Sequence, residues 1–583
     1  MDAGMLALSA LLPGSLAAAL ACNVPDAAHD GGVARVLGLD AQPWRALDPL
    51  VGAILSFLPL GTHAERAALG GALVASASGV ILYVILRALL GACAETTRLS
   101  SIVAAIAALS ALLAFPWQAE SARVGGSALG AALVLLPIAI VAGRVVDRRR
   151  ADWPAAAFSL GLAAGYEPLV GVCALSSFAL LVIAATSLRR SIFLEWRTKK
   201  DKLGVAFLAG AAPLVVALVC ARRSGLPLPS SLADGWSGER GSSLGGSPFS
   251  FIRAELGGLT IVLAVVGGAL ATMVSRARPI ALALTVVVAS GFACAKVGSP
   301  LGPTRYGAPV LAAFAATSGF AGVGVQAIVR RIAAARVPFS KASASMVLLL
   351  ALARPVDVAD DSLVRSRSDD ACATWDDVAW GSLAPRTVVL LTQPRLYARA
   401  RAARARGALR DDLIVVPAYA HGPLARRALA ADASLVSLWR DLEIVGSPSE
   451  GSLSGLAALR PLAMAYEPRW GRVLSRHLVP AALLDRFDLE PRGASDRRYA
   501  LDAFVPKRDR LARALIHDLE LRWETAYLLR ARALVIASSG DRDLVGRAVD
   551  DLRTFAPEDP VASEIMARVS FSRGAARFDD LLP

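Results

Sequence analysis

The chain has 583 residues, of which 55% are hydrophobic and only 19% charged, with a mean hydropathy of +0.52. Soluble domains carry about 25% charged residues, so a protein that is soluble throughout is excluded. The formal charge of +14 would suit a polyanion, but its Lys and Arg cluster at the ends of apolar runs. That is the ordinary topology signal of membrane proteins, and nucleic acid is set aside as a partner. The asymmetry is along the chain: residues 1–355 hold run after run of about 18–24 apolar residues, and residues 356–583 are dense in Arg, Asp and Glu. The pattern predicts a polytopic helical membrane domain followed by a soluble one.

Apolar runs fall near 5–22, 67–90, 100–115, 126–143, 154–165, 168–186, 203–221, 255–273, 279–296, 307–329 and 343–354. Crossing about 30 Å of hydrocarbon takes about 20 helical residues, which makes 154–165 and 343–354 short. The N-terminus lacks the basic region of a cleaved signal peptide, so Met5–Cys22 is read as an uncleaved first helix. Basic clusters follow at Arg144 to Arg150, Arg189 to Lys202, Arg276 with Arg278, and Arg330 to Lys341. If all are cytoplasmic, eleven spans are needed, with the N-terminus inside and the C-terminal domain outside.

The outside loops are then 23–66, 116–125, 165–168, 222–254 and 297–306. The first carries Asp26 and Asp30 and contains an apolar piece, Leu47–Leu60, too short to span and read as interfacial or re-entrant. Loop 222–254 is rich in Gly and Ser and reads equally as a lid or a solvated linker. The six cysteines (22, 93, 173, 220, 294, 372) form no disulfide framework, and the five histidines (29, 63, 421, 477, 517) show no metal-ligand spacing.

The division is a transmembrane domain at 1–355, an external α/β domain at 356–500 and a helical hairpin at 501–583. Asp357–Trp380 is a tether. Thr387–Gln393 is a compact β-branched run and a predicted buried strand, followed by an Ala/Arg helix at Pro394–Leu409. A second strand at Leu413–Ala418, a helix from Leu424 to Leu442 and a third strand at Arg460–Tyr466 continue an alternation that predicts parallel strands. Beyond Lys507 the spacing is helical, and two helices around Ser538-Ser-Gly-Asp resemble a single tetratricopeptide-type hairpin.

The first loop also carries a family resemblance. Asp26, Leu37-Gly38-Leu39, Pro43, Phe57-Leu58-Pro59-Leu60-Gly61 and Arg66 match the spacing of motifs that follow the first span in a family of GT-C membrane proteins. Tyr83, the turn Gly161–Glu167 and the strand after Ala384-Pro385 also fall at matching positions. The chain thus resembles the bacterial protein O-mannosyltransferase-like GT-C family over most of its length, at scattered positions. It departs from the pattern where Ala28-His29 replaces Gly-Glu, Ala41-Gln42-Pro43-Trp44 replaces His-Pro-Pro-Gly, and Tyr166-Glu167 replaces Asn-His.

The resemblance implies a GT-C-like fold in a bacterial cytoplasmic membrane with the C-terminal domain in the periplasm. It also implies transfer of a sugar from a polyprenyl-phosphate donor to an envelope protein or glycan. Such transfer needs a carboxylate as general base on the acceptor hydroxyl, cations or dipoles for the departing phosphate, and an apolar groove for the prenyl tail. Asp26 is the candidate base, with Asp30 as partner or substitute; the plainer reading is that both solvate a loop. Arg305 beside Tyr306 offers a bidentate phosphate clamp or an interfacial anchor. Arg66 would contact a lipid phosphate or cap the second span, and Glu167 is a second acid or a surface turn. No cofactor is identified; a divalent cation stays open, with fewer oxygen ligands than the family pattern offers. The alternative is a catalytically degenerate scaffold presenting its external domain to partners. A transporter ranks last, because no matched pair of broken helices stands out.

Overall fold

A computed structural model describes residues 2–21, 47, 51, 54–55, 57, 63–93, 97–122, 126–147, 152–223, 253, 255–297, 307–335, 340–367, 371–405, 409–418, 432–467, 470, 472–516, 519–538 and 541–571. They form two compact units, one of helices within 2–367 and one within 371–571.

Each of the eleven apolar runs is helical over most of its length. The helical unit contains α1 (Asp2–Ala21), α2 (His63–Cys93), α3 (Thr97–Leu112), a short α4 (Phe115–Ser121), α5 (Ala128–Asp147), α6 (Trp153–Tyr166), α7 (Pro168–Ala184), α8 (Thr186–Arg223), α9 (Gly258–Met273), α10 (Arg278–Val297), α11 (Ala308–Ala334) and α12 (Ser340–Arg367). Among the described residues, four segments are long and apolar enough to cross a bilayer: Asp2–Leu20, Leu69–Cys93, Ala308–Ala334 and Lys341–Leu363. The number rises to six if two bent pairs, α3 with α4 (67°) and α7 with α8 (107°), each count as one span. The apolar stretches of α5 (Ala128–Gly143), α9 (Gly258–Met273) and α10 (Arg278–Cys294) are shorter. This is a multi-pass helical membrane protein.

Lipid gives helices no hydrophobic reason to associate, so close approach at small residues does the work. A Cβ on Gly161 of α6 would lie 2.1 Å from the Phe207 carbonyl oxygen of α8, and one on Gly210 would lie 2.2 Å from that of Phe158. Buried polar clamps add to this: Gln326 Nε2 donates to Ser100 Oγ (2.7 Å), and Ser318 Oγ to the Ala107 carbonyl (2.9 Å). One end of the unit is tied by Asp2, which accepts from Tyr83, Arg87 and Ser101, and by Arg330 Nη1 on the Cys93 carbonyl (3.3 Å).

The second unit is built on a five-stranded sheet of order β2-β1-β3-β5-β4, with β1 (Val388–Leu391), β2 (Ile414–Pro417), β3 (Leu462–Met464), β4 (Leu478–Ala481) and β5 (Leu484–Phe487). Strand β1 pairs parallel with β2 and β3, as the alternation predicts; β5 is antiparallel to β3 and β4, a hairpin absent from the sequence reading. Along β1 the side chains alternate between two cores. Val389 and Leu391 join Leu396, Leu501, Leu529 and Leu552, while Val388 and Leu390 join Leu438, Trp439 and Leu456. The helices Leu519–Ala537 and Arg542–Phe555 therefore share a core with the sheet.

Buried ions bind the helices to the sheet. Arg399 Nε meets Glu524 Oε2 at 2.6 Å with both side chains sealed, and its guanidinium lies 4.8 Å from the Trp375 ring centroid. Arg532 Nε meets Asp485 Oδ1 at 3.0 Å. Burial pushes the Asp485 carboxyl above its ordinary range, against the pull of Arg532.

Candidate functional site at one end of the helical unit

The hairpin between α6 and α7 has a single residue, Glu167, outside the helices. Asp152 caps α6 by accepting from the Ala155 N–H, and Pro168 opens α7, where a missing N–H costs nothing. Glu167 is extended (φ −154°, ψ 137°), and its side chain caps neither helix. It is 2% exposed, and Tyr166 beside it is fully buried. A surface turn is therefore not what the structure shows: the carboxylate faces the interior of the unit. Carboxylates are rarely so buried without a functional or structural partner.

The Tyr166 ring locates the neighbours. A Cβ on Gly130, in the first turn of α5, would lie 3.0 Å from Tyr166 Cε1 and 2.7 Å from the Ala308 Cβ that starts α11. The end of α10 is close as well, with Cys294 Sγ 3.9 Å from Cys173 Sγ of α7. So the α6–α7 turn, the start of α5, the end of α10 and the start of α11 share one end of the unit.

A second buried carboxylate occurs here that the sequence reading passed over. The chain breaks after α3, and α4 packs all seven of its residues inside. Glu120 is 2% exposed, and its Oε2 accepts from the Ser127 N–H (2.7 Å) just before α5. Gln118 Nε2 reaches the carbonyls of Leu112 (2.6 Å) and Pro13 (3.3 Å), tying α4 to α1 and α3. The contact between α2 and α4 is close: a Cβ on Gly71 would lie 1.8 Å from the Ser121 carbonyl oxygen. Arg66, half-buried, sits in the first turn of α2 at this end. From the apolar 47–60 piece, Val51 and Leu55 pack within 3 Å of a Cβ position on Gly70, while Ile54 and Phe57 are 60% and 87% exposed. That division suits a segment with one face on protein and one on lipid.

Asp26, Asp30, Arg305 and Tyr306 lie outside the described residues. Among the described residues, no group of three or more His, Cys, Asp or Glu side chains gathers as a cation site would need. What this end offers is two buried carboxylates, one of them held by the N–H just before α5.

No protein-family model matches the chain, and no curated protein matches it. Among solved structures it is similar to ArnT from Cupriavidus metallidurans in two states. The crystal structure bound to undecaprenyl phosphate shares 16% identity, covers 75% of this chain and 86% of that one, and has a TM-score of 0.44. The apo crystal structure shares 15% identity, covers 79% and 92%, and has a TM-score of 0.45.

Proposed function

We propose that this chain is a membrane glycosyltransferase of the GT-C kind. It moves a sugar from a polyprenyl-phosphate donor to an acceptor hydroxyl on the outer face of a bacterial cytoplasmic membrane. The observation that carries the reading is the gathering of two buried carboxylates, Glu120 and Glu167, at one end of the helical unit. The same end holds the helix termini from which the segments bearing Asp26, Asp30, Arg305 and Tyr306 depart. The sequence resemblance to O-mannosyltransferase-like proteins supports the finer reading, with Asp26 as general base and Asp30 beside it.

In this mechanism the carboxylate takes the proton of the acceptor hydroxyl as its oxygen attacks the anomeric carbon. The bond from that carbon to the phosphate oxygen breaks, and the configuration inverts. Arg305 holds the departing phosphate, with Arg66 on the lipid phosphate near the interface. Glu167 orients sugar hydroxyls, Tyr306 flanks the donor, and the prenyl tail lies along the apolar helix faces. The second unit would stand in the periplasm and guide the envelope protein or glycan acceptor.

The test is a strain series: wild type, gene deletion, Asp26→Ala and Asp26→Ala/Asp30→Ala, with envelope glycans profiled by mass spectrometry and protein level measured alongside. Sugar transfer predicts that Asp26→Ala reproduces the deletion profile at normal protein level. A profile unchanged in Asp26→Ala but altered in the deletion would replace this reading by a scaffold that acts through its external unit.

A further inference from the structure

Helix α8 is two arms joined at Lys199, whose backbone (φ −140°, ψ 32°) leaves the helical region. The first arm, residues 186–198, begins where the chain turns away from α7. One side of it is anchored in protein: Leu188 is fully buried, and Trp153 Nε1 donates to Ser191 Oγ at 3.1 Å. The opposite side is open, with Phe193, Leu194 and Trp196 at 67%, 64% and 58% exposure and Arg189, Arg190 and Arg197 exposed among them. At about 100° per residue, the order around this open arc is Trp196, Arg189, Phe193, Arg197, Arg190, Leu194, so cations and apolar groups are intermixed.

Neither water nor hydrocarbon alone suits such an arc. Two aromatic rings and a leucine left in water lose their burial, and three guanidinium groups in hydrocarbon are costly. A boundary layer with acyl chains on one side and phosphates on the other satisfies both sets. The charge selects the sign of the headgroup. Residues 189–202 carry Arg189, Arg190, Arg197, Lys199, Lys200 and Lys202 against Glu195 and Asp201, and Glu195 is already paired with Lys199 Nζ at 2.8 Å. Among the described residues, Arg189, Arg190 and Arg197 have no ion pair.

We propose that the first arm of α8 lies along the membrane boundary and binds anionic phospholipid headgroups. Its arginines hold the phosphates, and Phe193, Leu194 and Trp196 seat among the upper acyl carbons. The inference rests on the multi-pass membrane reading and is independent of sugar transfer.

The test uses the full-length protein in detergent micelles carrying equal phosphatidylglycerol and phosphatidylcholine, with retained lipids counted by native mass spectrometry. Wild type is expected to keep phosphatidylglycerol in preference, less so as salt rises. Arg189→Gln/Arg190→Gln/Arg197→Gln should lose that preference by about fivefold per arginine. The corresponding triple Lys variant should keep most of it, and Arg276→Gln/Arg331→Gln, exposed elsewhere on the unit, should leave it intact. Phe193→Ser/Trp196→Ser should lower retention of both lipids. Equal retention of the two lipids by wild type, a preference indifferent to salt, or an equal loss in the Arg276/Arg331 variant would overturn the proposal. Because lipids and not products are counted, a failure of the transferase reading leaves this result untouched.

Discussion

Replacing Glu524 by Gln preserves side-chain shape and removes one charge from the middle of the second unit. Arg399 is 2% exposed and Glu524 fully sealed, with Nε and Oε2 2.6 Å apart. The Trp375 ring lies against the guanidinium, and its Nε1–H donates to Thr525 Oγ1 at 3.1 Å. Taking away one member of a sealed pair leaves an uncompensated charge and costs about 3–5 kcal/mol. In a unit of this size each kcal/mol moves the melting temperature by about 2–4 °C, so Glu524→Gln should lower it by about 6–20 °C. The assay is protease cleavage of the second unit against temperature, on the full-length protein in detergent. Arg399→Met/Glu524→Leu, which removes both charges and keeps the volume, should recover most of the loss. A shift below about 2 °C for Glu524→Gln would mean that the pair is hydrated and the reasoning wrong.

Gly210→Leu should force α6 and α8 apart, since even a Cβ there would lie 2.2 Å from the Phe158 carbonyl oxygen; size-exclusion chromatography in detergent should show loss of the monodisperse peak. Gln326→Leu removes the clamp on Ser100 and should cost about 0.6–1.7 kcal/mol, the range of such bonds in membrane bundles, read by unfolding of the helical unit in mixed micelles. Asp432 accepts from Ser434 Oγ and N–H and pairs with Arg460 at 2.8 Å. The Ser434 hydroxyl foremost holds its carboxyl below the usual range. A depressed carboxylate stabilises the fold above its ordinary pKa of 3.8 and loses that contribution as pH falls further. Acid unfolding of the second unit should accordingly be flatter below that pH in Asp432→Asn than in wild type.

The helices were legible because apolar run length is a strong signal, and every run returned as a helix. The parallel part of the sheet was legible for a similar reason: Thr387–Leu391 and Leu413–Val416 are short, β-branched and bounded by polar residues. The β4–β5 hairpin was not, because its turn uses Ala482 at φ 60° where Gly or Asn would have signalled it. Helix α4 was read as an external loop, since seven residues make fewer than two turns and show no period. With it went Glu120, whose only local mark is a carboxylate following Pro116-Trp117-Gln118. Nothing in the Ala/Arg helix at Pro394–Ala405 marks one arginine from the next, yet Arg399 is sealed by a glutamate 125 positions away, a pairing no local pattern holds. Glu167 stands out in the sequence as an acid in a short turn between two apolar runs, but its burial was not legible there, since the neighbours of Tyr166 beside it, Gly130 and Ala308, come from other helices.

The shortness of α6 has a consequence for depth. Its 14 residues rise about 21 Å at 1.5 Å each, some 9 Å less than a hydrocarbon layer of about 30 Å. A helix of that length set upright from Asp152 at one margin would end short of the other, and on the proposed reading Glu167 would lie beneath the headgroups. On the proposed reading, a lipid-linked donor would then reach that carboxylate sideways from the leaflet and a water-borne acceptor from above.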